Sequence, residues 1–395
     1  MRTSRQVSPR RLTTLISALV FLDMVTWLAA IPLIPVWQRD LGLNDDQSGV
    51  VLGVYSLAVL LTAIPAGHIA DRIGARRMTL IGAALFVLAA PAIAFADSFV
   101  LLIIVRLVQG ACSAITWSAG LAWLSSAVGS SDRTRALSIT NAMATVGTIA
   151  GPILGGPIVE RFGLMESFGA LGALVVIVLI WALVEPGGDR GMATSIQPHG
   201  PFAAIRKAAT PGLLRMSFVS IGFVSLAMGA LQLLGTLHLD GQGLSSAQIG
   251  WVYTVGSVLS VLAIVIVARL GERVRQISTL VLLPMVVGGL VVLLIVPVGV
   301  IWYGGLLVLS IGVSAPIFTI AYVACARGAR AAGLGEGGAF GMMNATWAVG
   351  AVISTVLAGI VAQRGVPVLA YLAIGLLSIL VTLVLRHSRP AAADA

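Results

Sequence analysis

Two charged residues sit where the surrounding chain offers almost nothing polar. Asp23 lies within the apolar run Leu12 to Trp37, and Arg106 lies within the run Phe99 to Val128. A charged side chain at mid-membrane depth costs about 2.5 to 3.5 kcal/mol on insertion scales, so each needs a partner or a task. At 1.5 Å per helical residue, Asp23 lies about 16 Å and Arg106 about 20 Å from the same face of a core about 30 Å thick. The two can share one layer. Asp23 is the only acid so deep, which gives the pair two possible chemistries: exchange of a proton and binding of a charged solute. An apolar setting disfavours the carboxylate anion and a nearby guanidinium favours it, so their separation would govern whether Asp23 holds its proton. A purely structural ion pair is the other reading.

The elements that must position this pair follow from composition. Of 395 residues, 58% are apolar and only 10% charged, and the mean hydropathy is +1.03. A soluble fold would need far more polar surface to cover such a core. The bilayer is therefore the main solvent, and disorder, coiled coil and nucleic-acid binding fit poorly. Cys112 and Cys325 both lie in apolar runs and read as buried thiols, with no disulfide framework or metal site.

Twelve runs are long enough to span: Leu12 to Trp37, Ser48 to Ala70, Met78 to Ala96, Phe99 to Val128, Ala136 to Val159, Leu164 to Val184, Gly212 to His238, Ala247 to Ala268, Ile277 to Val298, Ile301 to Ala326, Gly337 to Val361 and Val368 to Leu385. The first follows a basic start but is too long and too polar at Asp23 for a cleaved leader, so a retained helix is expected. Twenty of the 24 basic residues fall on one side of this alternation, while the opposite loops hold only Arg39, Arg161 and Arg364. Basic residues in short loops stay in the cytoplasm, which places both termini there in a multi-pass protein of the cell (inner) membrane.

The longest polar interruption, Glu185 to Pro211, divides the spans six and six. Domains are accordingly expected at 1–185 and 212–395, joined by a cytoplasmic loop at 186–211. An internal repeat supports the division. Arg72-Ile73-Gly74-Ala75-Arg76 returns as Arg269-Leu270-Gly271-Glu272-Arg273, and Asn141-Ala142 with Val146-Gly147 returns as Asn344-Ala345 with Val349-Gly350. The expected fold is an all-α membrane protein of 12 transmembrane helices in two pseudo-symmetric six-helix bundles.

Three stretches carry recognisable spacing. Between the second and third spans stands Gly67-His68-Ile69-Ala70-Asp71-Arg72-Ile73-Gly74-Ala75-Arg76-Arg77. Gly67 and Gly74 are expected to allow a tight turn and close helix approach, and Asp71 to pair with arginines or face a helix N-terminus. The fifth span carries Gly147-Thr148-Ile149-Ala150-Gly151-Pro152-Ile153-Leu154-Gly155-Gly156. Glycines four apart form one stripe drifting about 40° per step, open to a second helix, and Pro152 should bend its helix. The fourth span carries Arg106-Leu107-Val108-Gln109-Gly110.

These stretches resemble signatures of the major facilitator superfamily: the loop between its second and third helices, its antiporter motif, and its arginine-x-x-glutamine-glycine motif. The loop departs from the usual pattern at Ile69 and Ala75, while every fixed position of the antiporter motif matches; its eleventh-span counterpart has Ser354-Thr355 instead of Gly151-Pro152. The first span, with Leu22-Asp23-Met24 and Pro32-Leu33-Ile34-Pro35, is similar to that of the drug and vesicular-amine proton antiporters. The resemblance implies a latch at the cytoplasmic gate made by Gly67, Asp71, Arg72, Gly74, Arg76 and Arg77. It also implies proton-coupled export of small amphipathic, cationic or drug-like molecules by alternating access, with Asp23 engaging substrate or proton.

Trp27, Gln109, Asn141, Gln232, Asn344 and Trp347 are the further candidates for substrate contact, although packing between helices explains each as well. Tyr322 and Trp117 belong to the same set of polar or aromatic residues within spans, and His68 and His238 read as interfacial. The competing function is a proton symporter importing a sugar, organic acid or nucleoside, which the intact glycine–proline stripe disfavours. A membrane enzyme would need a catalytic cluster, yet His68, His199, His238 and His387 lack adjacent acids or metal-ligand spacing. No catalytic residue, metal or cofactor is expected. The expected partners are a small-molecule substrate, protons and lipid, not nucleic acid, with the chain acting as a monomer.

Overall fold

The computed structural model describes residues 8–128, 130–185, 212–269, 277–297, 299–333 and 336–388. The central loop 186–211 and most of the second-half copy of the latch sequence, 270–276, lie outside the described residues. Eleven helices among those described are long and apolar enough to cross a membrane, and the shorter apolar helix Thr279–Leu293 supplies the ninth run. The result is the all-helical, twelve-segment architecture expected from hydropathy.

The first run is not one helix. Helix α1, Pro9–Ala29, begins with proline at its first turn, where the missing N–H is no loss. It stops at Ala29 because Pro32 and Pro35 cannot continue the backbone ladder, and short-range bonds such as Leu33 N–H to the Ala30 carbonyl close the turn. Helix α2, Ile34–Leu41, then carries the chain to Gly42, whose φ of +66° suits glycine.

The second span, α3 (Asp45–Ile73), opens with a reciprocal cap: Gln47 N–H donates to Asn44 Oδ1 at 2.8 Å and Asn44 N–H to Gln47 Oε1 at 3.0 Å. The third span is α4, Ala75–Ala92. The fourth is interrupted: α5 (Phe99–Ile115) passes into a π-helical turn, Thr116–Gly120, and then α6 (Leu121–Ala127). The fifth behaves likewise, with α7 (Ser130–Ile153), a π-helical turn at Leu154–Ile158, and α8 (Val159–Phe162). The disturbance expected at Pro152 therefore takes the form of a π-helical turn that begins two residues later and contains Pro157. The sixth span is α9, Leu164–Val184.

In the second half follow α10 (Leu213–Gly241), α11 (Ser246–Arg269), α12 (Ile277–Leu293), α13 (Val300–Ala331), α14 (Glu336–Gln363) and α15 (Val368–His387). The chain forms two compact units. One is Met1–Leu43, Val54–Thr194 and Ser245–Thr254; the other is Asn44–Gly53, Ser195–Leu244 and Val255–Ala395.

Each unit shows the same internal pairing. In the first, the first span packs on the fifth and the third on the fourth and sixth; in the second, the seventh packs on the eleventh and the ninth on the tenth and twelfth. Duplication of sequence is thus duplication of packing. Leu88, Ile301 and Leu376 are exposed on helix faces, an arrangement stable against hydrocarbon and costly against water.

Candidate functional site

The closeness of the first and fifth spans is written in glycine. A Cβ at Gly147 would meet the Phe21 carbonyl at 2.7 Å, one at Gly151 the Val25 carbonyl at 2.9 Å, and one at Gly155 would collide with the Ala29 carbonyl. Positions 147, 151 and 155 thus ride on 21, 25 and 29, both rows four residues apart, with backbone against backbone. With that side of α1 taken up by α7, Asp23 meets residues of the second and fourth spans.

Asp23 is buried, with 2% of its surface exposed, and both carboxylate oxygens are hydrogen-bonded. Tyr55 Oη donates to Oδ1 at 3.0 Å; Ser113 Oγ and Trp117 Nε1 donate to Oδ2 at 2.8 and 2.9 Å. Gly110 makes this possible, because a side chain there would strike the Tyr55 carbonyl and push the second span away. Arg106, Gly110, Ser113 and Trp117 follow one another three or four residues apart down the fourth span, so one helical stripe supplies both the cation and two donors to the anion. Trp117 lies in the π-helical turn.

Arg106 is wholly buried. Its guanidinium lies 4.7 Å from the Tyr55 ring centre, and Nη1 donates to Gln109 Oε1 at 3.0 Å. Gln109 Nε2 in turn donates to the Ala89 carbonyl of the third span at 2.9 Å, which fixes the amide. Tyr55 thus binds both charges, its hydroxyl on the carboxylate and its ring face on the guanidinium. Trp27, one helical turn beyond Asp23, stacks on Tyr55 with ring centres 6.1 Å apart. The structure accordingly unites Asp23, Arg106, Gln109 and Trp27, and adds Tyr55 and Ser113, which the sequence reading passed over. Their only signal in sequence was a hydroxyl on the Arg106 stripe and an isolated tyrosine at the depth of Asp23.

The other candidates lie apart from this network. Asn141 is exposed on α7. In the second unit, Asn344 Oδ1 accepts from Tyr322 Oη at 2.6 Å, and Trp347 lies against Phe318 with ring centres 4.7 Å apart and planes 55° to each other. Gln232 is buried on α10.

The latch sequence behaves as expected in part. Gly74 adopts φ +97° and separates α3 from α4. Gly67 does not form a turn or a close approach: α3 runs straight through it, and a Cβ there would meet nothing within 4 Å. Arg76 Nη2 donates to the Leu183 carbonyl at 3.1 Å, and its guanidinium lies 5.9 Å from the Trp123 ring centre. It thereby ties the third span to the last turn of the sixth, where carbonyls lack helical partners. Asp71, Arg72 and Arg77 are exposed. Cys112 and Cys325 are free and buried, as their apolar runs implied.

A duplicated bundle of membrane-spanning helices with a hydrogen-bonded acid at its core is the architecture of a multi-pass membrane protein. The family model for the Major Facilitator Superfamily matches residues 16–337, and the chain belongs to that superfamily. The chain is 31% identical over 179 residues to the MFS-type transporter ppzB of Metarhizium rileyi, covering 44% of this chain and 37% of that protein. It is 33% identical over 176 residues to the multidrug resistance protein Stp of Mycobacterium tuberculosis, covering 44% and 32%. A riboflavin transporter, RibZ of Clostridioides difficile, is 29% identical over 155 residues, covering 38% and 34%. The chain thus spans less than half the length of these relatives. Among solved structures, the nucleoside transporter NupG matches with a TM-score of 0.73 over 95% of this chain and 98% of that one; at 14% identity this shows the fold. Multidrug-resistance names among the relatives agree with the drug/proton antiporter group.

Proposed function

We propose that this protein is a proton-coupled exporter of small amphipathic cations, working by alternating access from the cell (inner) membrane as a monomer with both termini in the cytoplasm. Residues 1–185 and 212–395 would be its two moving bundles. The observation that carries the reading is the carboxylate of Asp23, buried in an apolar bundle and held by three neutral donors, Tyr55, Ser113 and Trp117, with Trp27 stacked on Tyr55. A buried carboxylate set among aromatic residues suits an organic cation, and the same carboxylate can take a proton instead. Competition between proton and substrate for one acid yields antiport without another part.

In the cycle that follows, the inward state takes substrate as Asp23 gives up its proton, and the outward state releases substrate as Asp23 is protonated again. Arg106, held across the Tyr55 ring, keeps the site from accumulating uncompensated negative charge. Trp27, Gln109, Asn141, Gln232, Asn344 and Trp347 would contact the solute, and Arg76 with Asp71, Arg72 and Arg77 would govern the cytoplasmic end. Multidrug-resistance names among the relatives support export.

The test uses inverted membrane vesicles energised to an acid interior, with proton leak recorded on adding cationic, neutral and anionic compounds. A leak triggered by cations in wild type and lost in Asp23→Asn is the expected result. An unchanged leak in the variant would reduce Asp23 to a structural ion pair, and proton movement in step with solute rather than against it would show the symport alternative.

A further inference from the structure

The rings of Phe318 and Trp347 form a pair that the duplicated frame does not require. At the 203-residue offset that relates Asn141 to Asn344, the counterpart of Trp347 is Ala144, a buried alanine on α7. The first unit therefore closes without a ring at this place. In α14 the indole is also held in position, because the Ser225 hydroxyl donates to the Trp347 carbonyl and ties the backbone beneath the ring to the seventh span. Phe318 stands about 20 Å along α13 from the end assigned to the cytoplasm, and Trp347 about 17 Å along α14 from its own such end, so both lie at the depth of the bilayer core. Both rings are half-buried. Their centres are 4.7 Å apart, and the 55° between their planes leaves the pair open as a wedge instead of closed face on face.

The open side of this pair meets water, not lipid. Val349, Ile353 and Leu357 are exposed at intervals of four residues and form the lipid-facing stripe of α14. At about 100° per residue, Asn344 lies about 140° around the helix from Val349 and about 180° from Ile353, and Trp347 is about 60° from Asn344. The two share the face turned away from that stripe. On α13, Phe318 lies about 180° from exposed Leu309. Asn344 is itself exposed, and its Oδ1 is taken up by Tyr322 Oη. Its N–H groups would be left without acceptors against hydrocarbon, a cost that water removes.

From this arrangement we infer that Phe318 and Trp347 form a subsite for an aryl group of the solute. A flat ring presents a π face and a polar edge through which it aligns with the wedge, whereas a saturated ring of the same carbon skeleton fills similar space and has neither. Charge is met at Asp23; this pair reads whether the rest of the solute is aromatic. The inference deepens the exporter reading and rests on it for what the bound molecule is.

The test uses a matched pair of cations, 2-naphthylmethyltrimethylammonium and its decahydronaphthyl counterpart, which share charge and carbon skeleton. Binding of each to the purified full-length protein is measured by isothermal titration calorimetry, which needs no transport, while proton leak in vesicles is recorded in parallel. Phe318→Leu keeps an apolar side chain but removes the ring, and it is expected to weaken binding of the aryl compound about threefold to tenfold more than that of the saturated one. Phe318→Tyr keeps the ring and should retain the wild-type ratio of the two dissociation constants. Trp347→Leu, read in the same way, is the second variant should Phe318→Leu fail to fold, as judged by thermal unfolding. Equal weakening of both compounds would reduce the pair to packing between α13 and α14 and overturn the proposal. So would wild type that binds neither compound, with the exporter reading then left to the leak measurement. Selective loss of aryl binding without any proton leak would uphold the subsite and count against proton-coupled export.

Discussion

The fifth and eleventh spans descend from one sequence, yet they hold their partners by different means. In the fifth, Gly147, Gly151 and Gly155 bring the backbone directly onto α1, with one hydroxyl contact, Ser17 Oγ to Thr140 Oγ1 at 3.1 Å, further along α7. In the eleventh, Ser354 and Thr355 replace Gly151 and Pro152, and hydroxyls fill the gap: Ser225 Oγ donates to the Trp347 carbonyl, and Ser354 Oγ to the Ser225 carbonyl at 3.4 Å. At the three glycines the first arrangement admits no side chain, while in the second Ser225 and Ser354 occupy the contact. Charge follows the same division, since buried Asp23 and Arg106 both stand in the first unit and the second holds a neutral Tyr322–Asn344 pair. Duplication has kept the frame and varied the chemistry, with buried Asp23 and Arg106 in the first half and a hydroxyl-filled contact in the second.

The largest test of that contrast is to strip the charge. Arg106→Met leaves Asp23 without its buried cation, and a loss of about 3–5 kcal/mol is expected by analogy with other buried pairs. Thermal unfolding in detergent should show a large fall for this variant and little change for Asn344→Leu; equal falls would erase the distinction between halves. Next in size is the glycine row. Gly155→Ala drives a methyl into the Ala29 carbonyl and should cost about 1–3 kcal/mol, whereas Gly350→Ala meets mainly the Ser225 side chain and should cost less. Comparing the two melting temperatures decides whether backbone contact is the stiffer joint.

Smaller still is Tyr55→Phe, which keeps the ring over Arg106 and deletes one of three donors to Asp23. A loss of about 0.5–1.5 kcal/mol in holding the anion translates to about twofold to tenfold in the cation concentration needed for half-maximal proton leak. Tyr322→Phe should move that concentration by about twofold or less, because its bond to Asn344 is exposed and water replaces it. A Tyr322→Phe effect as large as that of Tyr55→Phe would place the binding chemistry in both halves.

Much of this was legible before any coordinates. Hydropathy alone implies the number of spans, because a bilayer admits only segments that satisfy their own backbone, and the repeated motifs imply a division six and six. Period-four glycines announced a close contact, since nothing else explains their removal of side chains along one stripe. Asp23 and Arg106 announced themselves by cost. What the sequence could not carry was partnership. That α1 is the helix beneath the glycines, that Tyr55 bridges acid and base, that Gly110 admits Tyr55 and that Gly67 meets nothing all depend on helices distant in sequence coming together. Spacing along one helix says which residues share a face; only packing says which face of which neighbour they meet, because the apolar faces that drive association are nearly interchangeable in lipid and the fit of backbone against backbone chooses among them.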